Sequence, residues 1–160
     1  MSKSLKRVKR HAEELGLDIE VVETAIDTHT AAQAAQSQGC AVDQIAKSII
    51  FRGETSGAAI LFLTAGGNRV DADKAAALAG ELLGKADAAL IRSQTGFAIG
   101  GVSPIGHLNP IKTFMDPRLL DFDTAWAAAG TPRHVFAISP KTLVEVTQAK
   151  VQDFTLTPQS

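Results

Sequence analysis

The chain has 160 residues, an apolar share of 45% and a formal charge of −1 at neutral pH, figures that describe a globular chain long enough to bury a real core. Near-neutral charge excludes a protein that coats nucleic acid, because neutralising many phosphates takes clustered Lys and Arg, so any such contact is local and no DNA partner is expected. The longest apolar runs, such as Ala58 to Ala65, fall far short of the roughly 20 residues a membrane helix needs, and the N-terminus lacks the apolar stretch of a secretory signal, so a cytoplasmic protein without membrane contact is expected.

Leu5, Val8, Ala12 and Leu15 recur at helical spacing and Gly16 stops that first helix. Its outer side carries Lys3, Lys6, Arg7, Lys9 and Arg10, read either as a solvated face or as a local RNA contact. Ile19 to Thr24 has the β-branched content of a strand. Thr28 or Thr30 caps an alanine-rich helix through Gln38, Gly39 closes it, and Val42 to Ala46 adds a further helical turn. Lys47 to Arg52 reads as a strand and Gly53 to Gly57 as a turn. Ala58 to Ala65 is too continuously apolar for a half-exposed strand, so it belongs at the centre of a sheet, joined to the preceding strand as a hairpin. Beyond the Gly66-Gly67-Asn68 turn, Asp71 or Asp73 opens a helix through Leu78 followed by Gly80, and Ala86 to Thr95 forms another, ended by Gly96. Ile111 to Met115 reads as a strand, Phe122 to Ala129 as a helix ended by Gly130, and His134 to Ile138 as a strand. A last helix, Lys141 to Thr147, has Pro140 in its first turn. This order is that of an α+β fold with mixed strand order. No repeat, heptad or linker interrupts it, so residues 1–160 are expected to form one domain whose tail, Thr155 to Ser160, frays.

Several chemistries are set aside by spacing. His11, His29, His107 and His134 are scattered, without a His-x-x-x-His pair or a Cys partner, so neither a zinc site nor another metal or cofactor is expected. Cys40 stands alone, with no neighbouring histidine to activate it, and reads as filler. The glycines from Gly96 to Gly101 lack the context of a dinucleotide fingerprint, and Lys47-Ser48 lacks the preceding glycines of a phosphate-binding loop. Ser103 is followed by Pro104, which breaks the pattern of a hydrolase nucleophile elbow.

Two features remain. Gly100-Gly101-Val102-Ser103-Pro104-Ile105-Gly106-His107 concentrates three glycines and a proline, giving a stiff loop whose backbone a ligand can approach closely. Exposed amides there suit an anion or a polarised carbonyl, as in an oxyanion hole, while a tight connection between elements is the plainer reading. Lys47 is a lone cation entering an otherwise apolar strand. Its ammonium is either solvent-facing or met by something anionic.

Ala46-Lys47-Ser48-Ile49-Ile50-Phe51, then Arg69-Val70-Asp71 with Lys74, then Gly96-Phe97 running into Gly100 to Gly106, and then Ala129-Gly130-Thr131-Pro132-Arg133-His134-Val135-Phe136 with the Ser139-Pro140 helix resemble the YbaK/prolyl-tRNA synthetase-associated editing domains over nearly the whole chain. The resemblance implies a compact α+β domain with a curved, mixed, largely antiparallel sheet flanked by helices. It implies a free-standing hydrolase that removes wrong amino acids from tRNA, mostly tRNA for proline, with a prolyl-tRNA synthetase as a conceivable partner. Lys47 falls on the family's lysine and Gly100 to Pro104 on its Gly-x-x-x-Pro loop. On that footing Lys47, Gly100 and Gly101 are the candidate catalytic residues. Lys47 would engage the terminal adenosine's phosphate, the amides of Gly100, Gly101 and Val102 would hold the ester, and the ribose hydroxyl beside the ester would help position water. His29, Thr30, Ser48, Asp71, Val102, Ser103, Pro104 and His134 are candidate substrate-binding residues. Asp71 is equally explained as a helix cap, His134 as a strand-edge histidine, and Ser48 points away from Lys47 in a regular strand. Alanyl, cysteinyl, seryl and threonyl esters all stay open, since one methylene discriminates by only about 1–3 kcal/mol. The alternative is a non-catalytic tRNA- or synthetase-binding module of the same fold.

Overall fold

The computed structural model describes residues 2–25 and 27–156. Helix α1 (Lys3–Glu14) starts at Ser2, whose hydroxyl accepts from the Leu5 amide, and buries Leu5, Val8 and Ala12. Strand β1 (Val21–Glu23) leads to α2 (Ala31–Gln38). Of the two threonines that could cap α2, Thr30 does so, in a reciprocal box with Gln33, and Gly39 ends the helix in the left-handed region. A 3₁₀ turn at Val42–Gln44 replaces the expected longer helical turn, and Ala46 already belongs to strand β2 (Ala46–Gly53).

Strand β3 (Ala59–Ala65) is buried along its whole length and pairs with β2 as an antiparallel hairpin. Helix α3 (Ala72–Ala79), strand β4 (Leu83–Lys85) and helix α4 (Ala88–Thr95) follow, and then β5 (Lys112–Met115) and a 3₁₀ turn at Pro117–Asp121. Strands β6 (Ala125–Thr131) and β7 (His134–Ile138), helix α5 (Pro140–Thr147) and the short β8 (Lys150–Val151) complete the chain. The strands form a five-stranded mixed sheet in the order β4-β2-β3-β5-β8 and a three-stranded antiparallel sheet in the order β1-β7-β6. Among the described residues, the β3–β5 and β5–β8 strand pairs are parallel and the others antiparallel.

Of the expected helix at Phe122 to Ala129, residues 125–129 are instead strand. Ala125, Ala127 and Ala129 are buried while Trp126 and Ala128 are half-buried, an alternation of period two that the run of alanines conceals. Alanine favours a helix in isolation, but here its small size lets α1 lie close against the strand, and packing overrides propensity. Gly130 lies at the register irregularity near the end of that strand at φ +97°, with the Ser4 backbone where a side chain would stand. Strands β4 and β8 carry too few residues for a pattern to show in sequence. Of the tail expected to fray, Thr155 bridges to Val70 and the Leu156 amide donates to the Arg69 carbonyl; residues 157–160 lie outside the described residues.

Two cores result. The larger joins α1, one face of β2 and β3, and β6 and β7 through residues such as Val8, Leu61, Leu63, Phe97, Met115 and Phe136. The smaller lies under α3 and stacks Phe62 on Phe114, with Phe154 edge-on.

Candidate active site

Ile45 and Trp126 form an isolated parallel bridge that joins the two sheets at one point. Strand β4 covers β2 only at Phe51–Gly53, so residues 46–50 have no strand partner on that side among the described residues. A cleft of about 590 Å³ opens along this edge. Register places Lys47 opposite Thr64 and Ser48 opposite Leu63. Ile49 and Phe51 pack toward the α3 core, Ala46 and Ile50 toward the core shared with β6, so Lys47 and Ser48 lie on opposite faces of the strand, as the alternation requires. Both nevertheless line the cleft, because it wraps around the strand's edge.

The Lys47 end is cationic. Its ammonium donates to the Asn68 carbonyl at 2.6 Å, in the Gly66-Gly67-Asn68 turn that follows β3. That turn is held from two sides. The buried carboxylate of Asp116 accepts from the Asn68 side-chain amide at 2.9 Å and from the Ala65 amide at 3.1 Å, and Asp43 accepts from the Gly67 amide at 2.8 Å. Gly66 abuts the Val42 carbonyl where a Cβ would stand, so the turn closes only on glycine. Burial pushes the Lys47 pKa down and the neighbouring Arg69 guanidinium pushes it further, while Asp116 and Asp43 oppose the shift. Arg69 is exposed at the rim, and its side chain meets no partner among the described residues. Among the described residues, no Asp or Glu lines the cleft. Two cations therefore face a space without a carboxylate in a chain whose net charge is −1, an arrangement that favours an anion there.

The opposite wall is apolar, built from Ile45, Ala46, Val102, Trp126, Ala127, Ala128 and Val135. The glycine loop reaches it through Gly100 and Val102. Gly100 sits at φ +92°, and neither its amide nor that of Val102 donates to another group among the described residues. The Gly101 amide donates to the Ala98 carbonyl, and Gly101 packs against the backbone of Gly130 and Thr131. Arg7 braces the loop from behind: its guanidinium donates to the Gly106 carbonyl at 2.9 Å and the Gly96 carbonyl at 2.7 Å, and lies 4.6 Å from the centre of the Phe97 ring. Arg7 is thus not part of a free basic face.

His29 and Thr30 line the cleft at the start of α2. His29 is largely exposed and stands 3.7 Å from Asp27, and the Thr30 hydroxyl is engaged in capping. Lys47, Gly100, His29, Thr30, Ser48 and Val102 are thus brought to one cleft. Gly101, Asp71, Ser103, Pro104 and His134 lie outside it. Asp71 caps α3, accepting from the amides of Asp73 and Lys74, while Lys74 pairs with Asp153 at 3.1 Å. Ser103 is fully buried behind the loop, its hydroxyl accepting from the Ile105 amide and its carbonyl held by His107 at 2.7 Å. Pro104 borders a second, smaller cavity beside His107. His134 bonds Thr131 across the β6–β7 turn at 2.6 Å. Cys40 packs against the small cluster of Ala34, Ala35 and Ile45, and burial pushes its thiol pKa up. Asn68, Arg69, Asp116 and Trp126 are site residues that sequence reasoning missed. The glycine-rich turn before Asn68 and the Arg69-Val70-Asp71 motif were the available signals, since Asp116 and Trp126 reach the site only through tertiary pairing.

Residues 26–146 match the model of the aminoacyl-tRNA editing domain. The chain belongs to the aminoacyl-tRNA editing domain family. The "Uncharacterized protein YwhH" of Bacillus subtilis (strain 168) is 32% identical over 148 residues, 92% of this chain and 94% of that protein. Among solved structures, a candidate trans-editing enzyme for prolyl-tRNA synthetase is 44% identical with a TM-score of 0.91, covering 98% of this editing domain and 99% of that chain. The hypothetical protein APE2540 is 27% identical with a TM-score of 0.86, covering 94% and 99%. The mixed α+β architecture of this editing domain is that of the trans-editing fold.

Proposed function

We propose that this editing domain is a free-standing hydrolase that cleaves the ester of a mischarged tRNA, with tRNA for proline as its first substrate, in the cytoplasm where tRNA is charged. The observation that carries the reading is the cleft itself: Lys47 and Arg69 at one end, an apolar wall at the other, and the unpaired amides of Gly100 and Val102 beside it. An aminoacyl-tRNA end has the matching order of parts, phosphate, ribose ester and amino acid. Its ester is already activated, so hydrolysis needs a held carbonyl and a placed water rather than a protein nucleophile.

The terminal phosphate docks at Lys47, whose hydrogen bond to Asn68 holds the ammonium in place. The ester carbonyl lies against the loop, where the amides of Gly100 and Val102 stabilise the oxyanion that forms when water adds to the carbonyl carbon. The neighbouring ribose hydroxyl orients that water. Collapse breaks the ester bond, the ribose oxygen leaves with a proton that originates from the attacking water, and the free amino acid departs. A prolyl-tRNA synthetase is a reasonable source of the tRNA.

The test is deacylation of tRNA for proline carrying alanine, serine, threonine or cysteine, by the wild type and by Lys47→Ala. Hydrolysis of at least one ester by the wild type, reduced at least about 100-fold in the variant, is expected. Wild-type protein that binds tRNA yet hydrolyses none of the four would make it a binding module instead.

A further inference from the structure

Asp116 follows β5 and caps the 3₁₀ turn at Pro117–Asp121, yet it is only 2% exposed. A carboxylate is costly to bury without a cation beside it, and none of the ion pairs among the described residues includes Asp116. Its oxygens accept instead from three uncharged donors, the main-chain amides of Ala65 and Arg118 and the side-chain amide of Asn68. Asn68 is the link to the cleft. Its side chain reaches Asp116 at 2.9 Å, and its main-chain carbonyl accepts from the Lys47 ammonium at 2.6 Å. One residue thus stands between a buried anion and the cation that lines the cleft, and it is bonded to both. Direct contact would have spent the ammonium's donors on the carboxylate. With Asn68 between them, Lys47 gives one of its three donors to the protein among the described residues, while the attraction of Asp116 still acts on it at longer range.

We propose that Asp116 is a positioning residue for the anion-binding end of the cleft, holding Lys47 through Asn68 so that the ammonium's remaining donors meet a phosphate. The inference rests on the reading above, in which Lys47 receives the terminal phosphate of tRNA. A lysine stem is flexible, and ordering it at the moment of binding lowers affinity. An ammonium already fixed on the Asn68 carbonyl avoids that cost, and the carbonyl keeps its place because Asp116 grips the same residue from behind. The charge of Asp116 matters separately from its hydrogen bonds. Burial and the Arg69 guanidinium disfavour the charged form of Lys47, and Asp116 and Asp43 oppose them. Asp43 is itself paired with Arg118 at 3.0 Å, so Asp116 is the carboxylate of the two without a direct cationic partner among the described residues.

The experiment measures affinity for uncharged tRNA for proline, and deacylation of the ester that the wild type hydrolyses, in Asp116→Asn, in Asn68→Ala and in each combined with Lys47→Ala. Asn68→Ala keeps both the main-chain carbonyl and the carboxylate and removes only the bond between Asn68 and Asp116. Each single variant is expected to weaken tRNA binding about tenfold and to raise KM more than it lowers kcat, because the phosphate is not a reacting group. In the Lys47→Ala background the same changes should cause almost no further loss. As pH is raised above neutral, binding by Asp116→Asn should fail earlier than that of the wild type, since Lys47 gives up its proton sooner without the carboxylate. Asn68→Ala, which keeps the charge, should follow the wild type. Losses of equal size with and without Lys47 would overturn the proposal, because they would mean that Asp116 only supports the fold. A loss in Asp116→Asn that Asn68→Ala does not share, or the same pH dependence in Asp116→Asn and wild type, would overturn it as well. Should Asp116→Asn fail to fold, the pairing of Asn68→Ala with Lys47→Ala decides alone. Wild-type protein that neither binds tRNA nor hydrolyses any of the four esters would remove the editing reading itself, and the proposal with it.

Discussion

Single side chains in this chain are understood by what they hold. Lys47 had the two readings open to any lone lysine on an apolar strand, and its placement against the Asn68 carbonyl shows the ammonium tethered at the cleft instead of free in solvent. His107 is the counterpart on the structural side. Its Nε2 donates to the Ser103 carbonyl, and burial is the main cause holding its pKa below the ordinary 6.5, with the Ser103 hydrogen bond opposing the shift and His11 and Arg7 adding to it. A histidine whose folded pKa is depressed contributes stability that is complete above its unfolded pKa and is lost as pH falls through the folded value. The wild type should therefore lose melting temperature as pH falls below about 6.5, and His107→Gln, which keeps a donor but cannot charge, should lose less over the same range. Parallel melting curves from pH 7.5 to 5 for the two proteins would show that His107 does not titrate against folding.

At the level of elements, the informative pair is α1 and the glycine loop. Helix α1 was legible from its apolar stripe and Gly16, yet the meaning of its basic face was not, because charge on a helix looks the same whether it faces water, RNA or a distant carbonyl. Arg7 faces carbonyls. Two charge-assisted hydrogen bonds to Gly96 and Gly106 fix both ends of the segment that carries Gly100 and Val102 to the cleft. Arg7→Met keeps much of the stem's packing but removes both bonds, so it should lower stability by about 2 kcal/mol, seen as a melting temperature roughly 4–8 °C lower. Deacylation by the folded variant should fall mainly in kcat, since the loop amides act on the transition state. An unchanged kcat would mean that the loop holds its shape without the brace. Strand β6 teaches a related lesson. Its alanines fit a helix by composition, and only the closeness of α1 and the alternation of burial reveal the strand.

The whole molecule explains why a nearly neutral chain has a cationic cleft. Carboxylates that would cancel the charge are turned to other duties: Asp43 and Asp116 anchor the turn through Gly67 and Asn68, and Asp27 stands near His29 and Arg133. Asp43 and Asp116 still act on Lys47 from behind the turn, while Arg69 stays exposed at the rim. Arg69→Glu should weaken binding of tRNA uniformly across sequences and lower the slope of log affinity against log salt by about 1, measured by titration at several salt concentrations. An unaltered slope would place Arg69 outside the phosphate contact.

Local signals in the sequence determined most helices, the β2–β3 hairpin, the glycine loop and Lys47, because caps, periodicities and glycine punctuation act over a few residues and leave their mark in order. The family was legible for the same reason, since its motifs are short and stand in sequence. Tertiary structure alone decided that β6 is a strand, that Arg7 is a brace, that Asp71 caps a helix away from the cleft, and that Asn68, Arg69 and Trp126 border it. Each of these depends on contacts between segments tens of residues apart. Burial, register and the sharing of carboxylates are properties of the packed chain, and the free edge of β2 that makes the cleft exists only once two sheets have met and parted.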